Sequence, residues 1–172
     1  MTLLRSALSA INRITSLQTS KNYPPISIHI LSPSGHTLAS ATQDNCPPLL
    51  YPKYALSKAK VAVGLGISSR KFSQKYISTS TSPNPAKISQ MNNMAMLGDL
   101  ACFPGGVVVR NSDNEIIAGI GVSGASGDQD EELASAGALE FTNSHNTPSS
   151  FGRPLQNWGQ GVGNKNKDSL YP

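Results

Sequence analysis

The sequence predicts an α+β fold, and three patterns along its 172 residues carry that prediction. Two pairs of short apolar runs are each joined by turn-forming residues, which is how antiparallel hairpins read. Stretches with helical spacing precede, separate and follow those pairs. The resulting order of helix, hairpin, helices, hairpin, helix excludes a doubly wound parallel sheet, and helices must cover at least one face of the sheet.

The first helix is read from Leu3, Leu4, Ala7, Ala10, Ile11, Ile14 and Leu17, which share one helical stripe that excludes Arg5 and Arg13. The segment is also basic, Ser-rich and free of acids, as a mitochondrial transit peptide would be. Tyr23-Pro24-Pro25 stops it just before a strand, which favours a retained helix. In that strand Ile26, Ile28 and Ile30 alternate with Ser27, His29 and Leu31. Ser32-Pro33-Ser34-Gly35 is turn chemistry, and residues 36–41 return as the second strand. Pro52 opens a helix over Lys53–Leu65, since proline suits a first helical turn. Residues 68–90 read as short helices and loops. Pro104-Gly105-Gly106 turns into Val107–Arg110, Asn111–Asn114 makes a second hairpin loop, and Glu115–Ser123 returns as a strand with an apolar centre. A helix over Asp128–Phe141 follows, its acids crowded in the first turn where the helix dipole favours them. Residues 144–172 are rich in Asn, Gly, Ser, Gln and Pro and read as a polar tail, in which Trp158 is the single tryptophan of the chain.

The bulk properties narrow the function classes. A chain of this length can bury a core without disulfides or metals. No apolar run approaches the roughly 18 residues of a membrane span. Cys46 and Cys102 could pair, but two isolated thiols suit an intracellular protein better. The net charge of +4 hides an asymmetry: residues 1–98 hold ten Lys and Arg against one acid, and residues 99–172 hold four against nine. The two halves are therefore expected to neutralise each other. No basic stretch interleaves with aromatics in a nucleic-acid module, so a nucleic-acid partner is not expected.

The stretch Phe103-Pro-Gly-Gly-Val107, the strand Gly119-Ile-Gly-Val-Ser-Gly124, and the helix bearing Asp130-Glu131, Ala134 and Ala136-Gly137 together resemble the GlcG/HbpS-like family. The same module occurs as the C-terminal domain of PduO-type proteins. Ala55 and Lys58-Ala59 match the family's Ala-x-x-Lys-Ala helix, so the resemblance spans about residues 3–141. It implies a profilin-like domain over residues 1–143, a central antiparallel sheet of about five strands flanked by helices. It also implies a ligand pocket near a subunit interface of a homo-oligomer, a dimer or larger, with haem or a related tetrapyrrole as first candidate ligand. Departures from the family are Ser32-Pro33-Ser34-Gly35 in place of an Asp-x-x-Gly hairpin, Lys53 in place of an acid, and the tail.

Gly119, Gly121 and Gly124 also spell G-x-G-x-x-G, but they lie within a hairpin strand and not at the strand-to-helix turn of a dinucleotide site. Ser123 is followed directly by Gly124, so it is no nucleophile elbow. Their main role is geometric, since glycines in a strand admit a close approach by another backbone, side chain or ligand. His29, His36 and His145 are the only histidines, and none has metal-ligand spacing with Cys or carboxylates, so no metal site is expected. Haem needs only one axial histidine, and His29, on a strand, is the candidate, with Gly105, Gly106 and Gly121 lining the ligand. The alternative is a cofactor-independent isomerase, cyclase or lyase acting on a small oxygenated or carboxylated metabolite. His29, Lys53 or Tyr54 would then do the acid–base work. Lys53, Tyr54, Lys58 and Arg110 could jointly hold a carboxylate or phosphate. A cytoplasmic location is expected, or a mitochondrial one if the first helix is a transit peptide.

Overall fold

The computed structural model describes residues 2–76 and 99–146. Helix α1 spans Leu3–Ser20, and Thr2 caps it, its hydroxyl accepting from the Arg5 N–H. Gln18 near its end donates to the carbonyl of Pro24 and accepts from Gln43, which in turn accepts from the Ile26 N–H. This network ties the helix end to the first hairpin, β1 (Ser27–Leu31) and β2 (Thr37–Thr42). Helix α2 (Tyr51–Leu65) carries Pro52 in its first turn and ends on Gly66 in the left-handed conformation. Helix α3 covers Ser69–Tyr76. The rest of the predicted short helices over 68–90, and the predicted tail beyond Asn146, lie outside the described residues. The second hairpin is β3 (Gly106–Arg110) and β4 (Ile116–Ser123), and α4 runs Gly127–Asn146, beyond the predicted Phe141.

The sheet is antiparallel throughout, in the order β2-β1-β4-β3. It has four strands among the described residues, not about five. Only four segments show strand periodicity, and the fifth was implied by family resemblance alone.

The two faces of the sheet are built differently. Ile28, Ile30, Ile120 and Val122 point towards α1 and α4, where they meet Ala10, Ile14, Leu133 and Phe141 in the main core. Each fully buried isoleucine there contributes on the order of 1.5–3 kcal/mol. Of the predicted α1 stripe, Ala7, Ala10 and Ile14 are fully buried here and Leu3, Ile11 and Leu17 pack against them, while Leu4 is exposed. On the opposite face α2 lies across β1, β3 and β4, with Leu31 packed on Ala59 and Val63 at one end and the β4 glycines against the helix main chain. A Cβ on Gly121 would stand 1.9 Å from the Ala55 carbonyl oxygen, and one on Gly119 would stand 2.9 Å from that of Ala59. The predicted close approach to these glycines is therefore made by a helix backbone.

Candidate functional site

Lys58 lies on α2 within the stripe that faces the sheet, beside buried Ala55, Ala59 and Ala62. Asp130 lies in the first turn of α4. Their side chains, each 3% exposed, meet at 2.8 Å. The Lys58 ammonium also donates to the Val122 carbonyl at 2.8 Å and, at a longer 3.4 Å, to the Ser123 hydroxyl. The other Asp130 oxygen accepts from the Ala125 N–H at 3.0 Å. Withdrawing two charges from water is costly, and near-complete hydrogen bonding offsets it. Burial is the largest influence on both groups: it lowers the Lys58 pKa and raises that of Asp130, while the attraction between them opposes each shift. Gly105, at φ +119°, permits this packing, since a Cβ there would come within 2.8 Å of Asp130 and 3.0 Å of the Lys58 nitrogen.

Above the pair opens a pocket of about 370 Å³. One wall is Tyr51 and Tyr54 at the start of α2, continued by Phe103 and Pro104 in the turn before β3. Ser123, Ala125 and Gly127 close the side next to α4. The ring of Phe103 is 59% exposed, and its centre lies 5.9 Å from that of Tyr54. The site therefore presents an aromatic rim over a floor that holds one positive and one negative charge.

Of the predicted site residues, Tyr54 is in the pocket wall and Gly105 lies against the ion pair beneath. Lys53 is exposed and does not line the pocket. Gly106 and Gly121 face the backbone of α2: a Cβ on Gly106 would be 2.5 Å from the Lys58 carbonyl oxygen. The predicted anion-binding quartet is not assembled. Arg110 donates to the carbonyls of Gly66 and Asn114, at the far end of α2 and about 20 Å along the helix from Lys53. Lys58 is already engaged by Asp130.

His29 is outside the pocket. It pairs with Ser40 on β2 and Gly121 on β4, and it shares the sheet face of Leu31, which packs on Ala59 and Val63 of α2. Its ring is half-buried, and its Nδ1 is enclosed without a partner among the described residues. Burial pushes its pKa below the ordinary 6.5, so the neutral imidazole is favoured. On β2, the neighbouring Ser40 and Thr42 are exposed, so the sheet beside His29 is open. Among the described residues no group of three or more His, Cys, Asp and Glu could hold a metal ion, and no helix is long and apolar enough to cross a membrane. Cys46 and Cys102 are free thiols.

The sequence reading did not bring Lys58 and Asp130 together. The signal was a single charged residue on the apolar stripe of each of two helices, a position that a solvated charge would avoid.

This fold and this pocket define a small α+β domain built on one antiparallel sheet. The chain belongs to the HbpS-like family, described as haem degrading protein HbpS-like, whose model matches residues 4–139. Among solved structures, a double mutant of HbpS from Streptomyces reticuli is 26% identical, with a TM-score of 0.64 over 81% of this chain and 85% of that one. A PduOC–haem complex is 21% identical, with a TM-score of 0.60 over 80% of this chain and 91% of that one. The protein ORFY of Klebsiella pneumoniae is 20% identical, with a TM-score of 0.66 over 82% and 90%. The last two likenesses speak for the fold alone. No curated protein matches the chain significantly in sequence.

Proposed function

We propose that this chain is a small-ligand-binding protein, with haem or a related tetrapyrrole as the first ligand to test. Membership of a family described by haem degradation supports the reading, and His29 is the observation in this chain that carries it. An iron ligand must be a neutral imidazole, and burial holds His29 in that form. The ring lies beside an open strip of sheet formed by Ser40 and Thr42. In donor type and exposure these residues fit a tetrapyrrole held through one axial nitrogen. When bound, haem would supply redox and oxygen chemistry, and His29 would be the residue that holds it. Titrating haem into the purified protein is expected to give a Soret band that shifts and weakens in His29→Ala. Absence of any band from the unaltered protein overturns the proposal, and circular dichroism verifies that the variant folds.

The same reading includes a profilin-like domain that assembles as a dimer or larger and works in the cytoplasm. A second reading, chemistry without a cofactor on a small oxygenated substrate, is supported by Tyr54, which lines a pocket above a buried acid and amine.

A further inference from the structure

We infer that the pocket lined by Tyr54 and Phe103 is a second ligand site, separate from His29. Its ligand is a small, planar, uncharged compound that carries a carbonyl or hydroxyl group.

The argument begins with the hydrogens of Lys58. An ammonium has three to donate. Two are well placed, on Asp130 and on the Val122 carbonyl, both at 2.8 Å. The third reaches Ser123 Oγ only at 3.4 Å, beyond the usual range for a firm bond. Lys58, Ser123 and Asp130 all line the pocket, so this loosely used donor is beside the space a ligand would fill. A carbonyl or hydroxyl oxygen entering there would accept from Lys58, and the Ser123 hydroxyl, released from a poor bond, could donate or accept alongside it.

Charge then limits the class. The floor holds one cation and one anion, already paired at 2.8 Å, and among the described residues no other Lys, Arg, Asp or Glu lines the pocket. The guanidinium of Arg70 is bound to Asp128 and Glu131, none of which lines it. A ligand carboxylate or ammonium would lose water without meeting an opposite charge in excess, whereas an amide, ketone or alcohol would not carry that penalty.

Shape sets the rest. Phe103 is 59% exposed and packs at 57° against the Tyr54 ring, 5.9 Å away, so the two form a continuous aromatic wall that a flat molecule would cover from the pocket side. The volume of about 370 Å³ is at the small end for ligand pockets and suits one or two rings, not a tetrapyrrole. His29 is not among the lining residues, so this inference does not depend on the haem reading.

The test uses three probes of the same shape and different charge: benzamide, benzoate and benzamidine. Each is titrated into the full-length protein and followed by amide NMR. Benzamide is expected to shift the amides of Ser123, Ala125 and Gly127, with benzoate and benzamidine binding about tenfold or more weakly. The exposed-residue variant Phe103→Ala, whose fold should not depend on that ring, is expected to weaken benzamide by a similar factor. Ser123→Ala tests the polar end without disturbing the ion pair, and it is expected to weaken benzamide while leaving haem binding as it was. Three results would overturn the inference: no shift at these amides with any probe, charged probes binding as tightly as benzamide, or binding unchanged in Phe103→Ala. Displacement of benzamide by haem would also overturn it, since the two sites would then be one.

Discussion

Lys58 and Asp130 bring out the competing terms most clearly at the scale of single residues. The exposed pairs of this chain, such as Lys21 with Glu132 or Lys60 with Asp99, are screened by water and contribute little to stability. The Lys58–Asp130 pair is shielded from solvent, so breaking it leaves an uncompensated charge inside the protein. Lys58→Met alone and Asp130→Leu alone are each expected to lose about 3–5 kcal/mol of stability. The double variant is expected to lose less than either, because both charges leave together. Urea unfolding of the four proteins checks this; a double loss equal to the sum of the singles would show that the two residues do not act as a pair. Neither partner reveals the other in the sequence, since 72 positions separate them and only the folded sheet makes them neighbours. The polar residue that the sequence did single out, His29, was marked by being a titratable group on a strand. Its burial beside α2, which sets its charge state, is a tertiary effect.

The elements themselves were largely legible, because periodicity and turn chemistry are local. Both hairpins and all three long helices are where their spacing placed them, with ends moved by a few residues. The less local question was what the glycines of β4 accommodate. Their presence announces a close approach, but ligand, side chain and backbone would leave the same mark in a sequence. The structure places α2 there, which yields a sharp contrast with the glycine of α4. Gly121→Ala would drive a methyl group to 1.9 Å from the Ala55 carbonyl oxygen, and no rotamer change can move a main-chain atom aside. It is expected to lose at least about 3 kcal/mol, or to fail to fold. Gly137→Ala would place its methyl 2.5 Å from Cδ1 and 2.7 Å from Cγ1 of buried Ile14, side-chain atoms that can shift where a main-chain carbonyl cannot. The helix gains about 1 kcal/mol from alanine, which offsets part of that cost, so the loss is expected to be smaller than for Gly121→Ala. Thermal or urea unfolding of the two variants side by side decides it; equal losses would contradict the packing described.

Across the whole molecule, the charge asymmetry of the sequence turns out to be partly internal. The ion pairs of Lys21, Lys58, Lys60 and Arg70 each join a cation from the first 98 residues to an acid from the remainder. Among the described residues, the first part of the chain is therefore matched in part against the second within one protomer, through four of its ten basic residues. The core itself runs from Ala7 to Phe141. A chain ending at Asn146 is accordingly expected to unfold at the same urea concentration and with the same slope as the full chain, since the slope reports the surface buried. A lower midpoint would show that residues beyond Asn146 add to the buried interior.

The backbone seat of α2 has one more consequence. Where Gly121 brings the strand against the Ala55 carbonyl, no side chain lies between whose rotamers could absorb a change in spacing. Tyr51, Tyr54 and Lys58 are on that helix, so the α2 side of the pocket is positioned by the same close contact. The Phe103 side is different in kind, because that ring projects from a turn into solvent. Fitting to ligands of different thickness therefore falls to the Phe103 turn, while the α2 side sets a template against which each ligand is measured.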